Sequence, residues 1–225
     1  SACRNEAAVS GDINTGGVAG SMALEYALDP EDDVSSDLDG SYKRQYTYRA
    51  VLQHCVNTGA ITGKRSYVGG ICGRMELGLI TDSRGYGRIS SENGDYVGGI
   101  AGLTGGTVRD SFAKCTLSGN NYVGGVVGSG IQEDISGDSS TVTGCYSMVE
   151  VTEYKQFVGA VSGGNAGVFT NNYFVSDTLA GINRVSYASV AEPVTYEKMQ
   201  RLQSLPQSLR ELTLRFVADG KTVKS

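Results

Sequence analysis

Apolar, small and polar positions recur along this chain at fixed offsets. With Cys3, Cys55, Ser83, Ser111, Cys145 and Asn172 as anchors, Leu52, Ile80, Val108, Val142 and Phe169 stand three residues upstream. Six residues downstream stand Val9, Ile61, Ile89, Leu117 and Val151, each followed by a hydroxyl residue: Ser10, Thr62, Ser90, Ser118 and Thr152. Such short apolar stretches, bounded by turn residues, predict short strands. An aromatic heptapeptide then begins 11 to 13 residues after the anchor in four units. It reads Tyr67-Val-Gly-Gly-Ile-Cys-Gly73, Tyr96-Val-Gly-Gly-Ile-Ala-Gly102, Tyr122-Val-Gly-Gly-Val-Val-Gly128 and, more weakly, Phe157-Val-Gly-Ala-Val-Ser-Gly163. Gly16-Gly17-Val18-Ala19-Gly20 looks like an earlier copy.

Successive anchors are 52, 28, 28, 34 and 27 residues apart. A period near 28 is that of a solenoid or array in which each unit is one supersecondary element. One unit cannot bury its own apolar face, whereas stacking at about 4.8 Å makes burial continuous along the axis. The predicted fold is therefore mainly β: a right- or left-handed β-solenoid or β-helix-like stack of about six repeats over residues 1–188. Small anchor residues suit an inward column, and the Gly-Gly pair suits a sharp corner or a close backbone approach. On that reading Gly99→Val or Gly125→Val should loosen or unfold the stack. The two long intervals are insertions, residues 29–48 and Gln132–Asp138, of a kind that costs little entropy and projects from one face.

These heptapeptides at 67, 96, 122 and 157, with stretches such as Thr107-Val-Arg-Asp-Ser-Phe112 and Phe169-Thr-Asn-Asn-Tyr-Phe174, resemble the GLUG-motif family of bacterial secreted and cell-surface proteins. The resemblance covers roughly residues 1–188. It implies a β-solenoid-like segment of large adhesins, or of the non-catalytic region of certain secreted immunoglobulin-cleaving metallopeptidases, and it carries no catalytic motif. The chain departs from the pattern at its 29–48 insert and in its last unit, where Arg184-Val185 is read in place of the aromatic-Val-Gly-Gly.

Beyond residue 189 the glycine punctuation stops. Thr195 suits an N-cap for a helix over Thr195–Gln203, which Pro206 should end or interrupt. Leu212–Val217 alternates, and Asp219-Gly220 is a hairpin turn signal. Residues 189–225 are thus expected to form a short helix plus β-hairpin, either a cap on the stack or the start of a following module. The closing RFVADGKTVKS resembles the first hairpin of a small surface-protein repeat module.

Composition narrows the class. Glycine fills 32 of 225 positions with only 3 prolines and no collagen-like triplet period, so it punctuates strands and turns. Thirteen Tyr and no Trp, with many β-branched residues, also favour strands. A net charge of −5 argues against a nucleic-acid surface. No apolar run approaches the roughly 20 residues that span a bilayer, so no membrane insertion is expected.

Candidate chemistry is sparse. His54 adjoins Cys55, but neighbours on a strand point to opposite faces, which does not suit a Cys–His dyad. HExxH, GxSxG, Walker A and CxxC patterns are absent, and the repeated Gly69-Gly70-Ile71-Cys72-Gly73 opens no helix that could bind phosphate. Asp29–Asp33 through Asp37-Leu38-Asp39-Gly40 places several carboxylates in one insertion and raises calcium as an alternative. EF-hand counting, however, puts Ser35 at the first ligand and Tyr46 where a bidentate Glu belongs, so a solvated insertion is preferred. Tyr42–Arg49 reads as its return strand, with glycan or protein contact as the alternative. Asp82 and Asp110 share one repeat position, with Arg84 and Arg109 nearby, and Gly144 follows them there. They are read as turn caps rather than acids of a β-helix carbohydrate-active enzyme. Cys3, Cys55 and Cys145 share the anchor column and Cys72 aligns with Ala19 and Ala101, as small buried thiols; a Cys3–Cys55 bond requires adjacent repeats.

No catalytic, cofactor-binding or metal site is expected. The expectation is a non-catalytic, monomeric structural or adhesive segment at the bacterial cell surface, with host protein or glycan as partner. A substrate-positioning accessory domain of a secreted peptidase is the alternative.

Overall fold

The structure is a computed structural model of the 225-residue chain. It describes residues 2–23, 50–131, 139–203, 205 and 210, and the backbone of 216–218 and 221–224.

The chain is mainly β, and four parallel sheets contain all of its described strands except one two-stranded hairpin. Sheet I contains, in order, Arg4–Asn5, Val56–Asn57, Arg84–Ser91, Phe112–Ser118, Tyr146–Ser147, Asn172–Phe174 and Ala191–Pro193, widened by Val9–Gly11, Ile61–Gly63 and Glu150–Glu153. Sheet II contains Val51–Gln53, Leu79–Thr81, Thr107–Arg109, Thr141–Thr143 and Val168–Thr170. Sheet III contains Thr15–Gly16, Val68–Gly69, Val97–Gly98, Asn121–Gly124 and Gln156–Gly159. Sheet IV contains Ala19–Met22, Cys72–Met75, Ala101–Thr104 and Val127–Gly130. Across residues 51–130 the chain thus visits sheets II, I, III and IV in turn before it begins the next repeat.

The pairing follows the hydrophobic register. Ile80 pairs with Leu52 and Val108, Val108 with Val142, and Val142 with Phe169. Ile61 lies between Val9 and Ile89, and Leu117 between Ile89 and Val151. One position differs: a bulge sets Ser118 opposite Glu153 instead of Thr152. The Thr152 hydroxyl donates to Leu117 O at 3.3 Å.

All four sheets supply one core. Ile61, Ile89 and Leu117 from sheet I meet Ile80 and Val108 from sheet II, Val68 and Val97 from sheet III, and Cys72, Ala101 and Val127 from sheet IV, each 0% exposed. The second glycine of the heptapeptide marks a close approach between repeats. A Cβ added to Gly70, Gly99 or Gly125 would stand 2.2, 2.1 or 1.8 Å from the carbonyl oxygen of Gly99, Gly125 or Ala160 in the next repeat.

The left-handed corners lie elsewhere. One row is His54, Asp82, Asp110, Gly144 and Asn171, with φ between 49° and 63°. The other is Asn14, Tyr67, Tyr96, Tyr122 and Phe157, with φ between 52° and 68°. Asn, Asp, His and Gly tolerate this conformation readily, whereas an aromatic there carries strain that its packing must offset.

The last repeat refines the sequence reading. Val161 and Ser162 N–H groups donate to Gly181 O, and Ser162 bridges to Ile182. Gly181-Ile182 thus continues the sheet IV side, while Arg184 N donates to Val158 O of sheet III at 3.1 Å, and the final repeat is shortened. Val185 instead turns back to bridge Ile182 antiparallel, and Tyr187 likewise bridges Ala191. Ala191–Pro193 then returns as the last strand of sheet I.

The helix spans Tyr196–Arg201, inside the predicted range, with the Thr195 hydroxyl accepting from Lys198 N at 3.2 Å. Arg210 donates to the carbonyls of Leu202 and Leu205 beyond its C-terminus. Phe216–Ala218 pairs antiparallel with Lys221–Lys224, as the hairpin signal predicts; Leu212–Arg215, Asp219-Gly220 and Pro206 lie outside the described residues.

One core position is chemically mismatched. Thr15 heads the column of Val68, Val97, Val123 and Val158, is 4% exposed, and its hydroxyl has no hydrogen-bond partner. Thr15→Val removes that stranded hydroxyl at nearly constant shape and is expected to stabilise the protein by about 0.5–2 kcal/mol. Thermal unfolding checks this, and an unchanged or lower midpoint would count against it.

Candidate functional surface

The anchor column is a hydrogen-bonded seam as well as a packed one. The Ser83 and Ser111 hydroxyls accept from Cys55 N and Ser83 N, each at 3.2 Å, and donate to Thr81 O and Arg109 O at 2.9 and 2.8 Å. Each small polar side chain thus satisfies backbone groups beside a left-handed corner, a role hidden in the sequence behind its smallness. Asn172 extends the seam: its Oδ1 accepts from Cys145 N, and its Nδ2 donates to Val142 O and Val190 O.

Asp82 and Asp110 occupy successive corners. Asp82 Oδ2 accepts from the Thr81 hydroxyl at 3.0 Å, and Asp110 lies 3.7 Å from Arg109 while half exposed. In the next repeat, Gly144 leaves room that Asp110 Oδ1 approaches. These contacts are those of corner residues. His54 is exposed at its corner, whereas Cys55 points into the core at 0% exposure, so the two side chains do not converge.

The heptapeptide aromatics form a ladder. Ring centroids are 5.2 Å apart for Tyr67–Tyr96, 4.7 Å for Tyr96–Tyr122 and 4.6 Å for Tyr122–Phe157, with planes within 17°. Arg74 lies 5.2 Å from the Tyr67 ring centroid in cation–π geometry. Burial first, and then the neighbouring Tyr122, Tyr67 and Asp95, raise the Tyr96 phenol above its usual range. Because the rings face one another, the ladder offers solvent chiefly ring edges rather than faces on which a sugar could stack.

Aromatics on the outer side of sheet I behave differently. Phe112 and Tyr146 stand where strand alternation points away from the core, yet they are only 6% and 1% exposed. Val194, Met199 and Leu205 of the tail cover them, with Tyr173, Met148 and Val175 packed alongside. The helix pattern of the tail carries no sign of this docking; its signal is three aromatics, Phe112, Tyr146 and Tyr173, at one outward position of successive repeats. Beside the tail lies a shallow, open groove of about 380 Å³ lined by Lys114, Thr116, Met148, Glu150 and Val175 among others. Neither Asp82 nor Asp110 lines it.

All five cysteines are thiols, with Cys3 exposed and the rest buried. Burial pushes Cys72, Cys115 and Cys145 up to about 12, leaving them protonated and poorly nucleophilic at neutral pH. Among the described residues no group of three or more His, Cys, Asp or Glu could hold a metal ion. No helix among them is long and apolar enough to cross a membrane. The acidic segment Asp29–Gly40, the patch Tyr42–Arg49 and the insertion Gln132–Asp138 lie outside the described residues.

The junctions that flank the insertions are described. Residues 24–49 connect Met22 of sheet IV to Val51 of sheet II, and residues 132–138 connect Gly130 of sheet IV to Thr141 of sheet II. Both therefore leave at the same corner, three repeats or about 14 Å apart at ordinary strand spacing. No family model matches the chain, and neither curated proteins nor solved structures gave a match.

Proposed function

We propose that this chain is a β-solenoid of the GLUG-repeat type, a non-catalytic structural and adhesive segment of a bacterial cell-surface protein. In this role the stacked repeats are a stiff support, and host or matrix contact falls to the loops it presents. One observation carries the reading: both insertions depart from the same corner between sheets IV and II, while the intervening repeats close in two or three residues. A scaffold that confines added chain to one edge can vary its contacts without disturbing its core.

Binding of the purified chain to a glycan and matrix-protein array, with and without millimolar calcium, tests the proposal. The expected result is a reproducible ligand whose binding is lost when residues 29–48 are deleted, while the unfolding midpoint is kept. Absence of any ligand under both conditions would remove the adhesive role and leave a spacer.

A further inference from the structure

Cys3 and Cys55 are the anchor residues of the first two repeats. The strands that follow them pair in register, Arg4 with Val56 and Asn5 with Asn57. Val56 N donates to Cys3 O at 2.8 Å. Neighbouring positions in such a ladder have Cα atoms about 4.8 Å apart, inside the window of about 4.4–6.8 Å that a disulfide requires. Their side chains are within hydrogen-bonding reach of each other. The other cysteines lack this arrangement: Cys72 pairs with Ala19 and Ala101, Cys115 with Gly87, and Cys145 stands between the Ser111 and Asn172 levels.

We propose that Cys3 and Cys55 are a redox-responsive pair that closes to a disulfide between the first two repeats. The oxidant is a small-molecule disulfide of the glutathione class. Cys3, the exposed member, attacks first: its thiolate bonds to one sulfur of oxidised glutathione, and one glutathione thiolate leaves and takes up a proton. The Cys55 thiolate then attacks Cys3 Sγ, the Cys3–glutathione bond breaks, and the second glutathione leaves as thiol. Two protein thiols and one glutathione disulfide thus become one protein disulfide and two glutathione thiols. Burial raises the Cys55 thiol above its ordinary value, which assigns the first attack to Cys3.

The bond would close the whole connection between repeats 1 and 2, including residues 24–49. It would therefore restrict the unfolded chain strongly while asking little movement of the folded one. This inference is independent of the adhesive reading, since it needs only the register of the two repeats.

The test incubates the full chain with oxidised and reduced glutathione, then alkylates, digests and analyses it by mass spectrometry. Alkylatable thiols in the denatured protein are expected to fall from five to three, with a linked peptide joining Cys3 to Cys55. The unfolding midpoint should rise by about 5–10 °C and return on adding dithiothreitol. Cys3→Ser, at an exposed position, should fold normally and lose both effects. Retention of all five thiols, glutathione persisting on Cys3, or dimers linked through Cys3 would each overturn the proposal. So would a midpoint shift that survives in Cys3→Ser.

Discussion

Gly125→Val is expected to separate repeats 4 and 5 and to destabilise the protein by about 3–5 kcal/mol. The Cβ of any residue there would stand 1.8 Å from Ala160 O, a backbone atom held by the ladder, and 2.2 Å from the Ser147 hydroxyl. The hydroxyl could rotate away, but the carbonyl could move only by breaking the sheet III and IV registers. Gly99→Val should behave similarly, since its Cβ would lie 2.1 Å from Gly125 O and 2.6 Å from the Ala113 side chain. Ala160 is the informative control: it occupies the same column, already carries a Cβ, and is 1% exposed. Ala160→Gly should therefore cost only about 1 kcal/mol, from backbone entropy and a lost methyl. Urea unfolding of the four proteins would decide. Midpoints for both valine variants equal to the parent would show that the close approach is not where the structure puts it.

Asn172→Ala is expected to cost about 3–5 kcal/mol although it removes no apolar packing. Asn172 is 0% exposed. Its loss leaves Cys145 N–H, Val142 C=O and Val190 C=O without their side-chain partner, at about 1–3 kcal/mol for each group that finds no substitute. Val190 O also accepts from Asn172 N at 3.2 Å, so that carbonyl is the least affected. Asn172→Ser separates the contributions. A serine can accept from Cys145 N as Ser83 and Ser111 accept from their neighbours, but it is too short to reach both carbonyls. It should recover roughly a third to a half of the loss, on the basis of about 1 kcal/mol per restored hydrogen bond. If alanine and serine behave alike, and both like the parent, the seam contributes nothing at this level.

Much of the pairing was legible because stacking repeats the same environment at the same offset. The column Leu52, Ile80, Val108, Val142 and Phe169 could be aligned from spacing alone. The structure pairs those residues directly. Conformation within the repeat was less legible. The Gly-Gly pair suggested a corner, yet the left-handed residue is the aromatic before it; a ring is a poor local choice for that conformation, and only the ladder across repeats explains it. In the last repeat, shortening shifts the offset between corners: Gly181 and Ile182 meet Val161 and Ser162, while Arg184 meets Val158, and spacing alone does not show the first of these. The outward aromatics were present in the sequence, but their cover comes from residues 194–205, more than fifty positions after Phe112 and Tyr146 on average. No local pattern can report so distant a contact.

The docking of that tail has a mechanical consequence. Hydrogen bonds between repeats join strands that pair across successive repeats, so tension across those pairings is expected to load them one interface at a time. The tail lies across Phe112, Tyr146 and Tyr173, which belong to three successive repeats, and so resists their separation by sliding contact rather than by peeling. A load entering from that end must strip the tail before any repeat can leave. The expected response to tension is therefore asymmetric, with the C-terminal repeats reinforced by the tail and the N-terminal ones dependent on whatever joins the first repeat to the second.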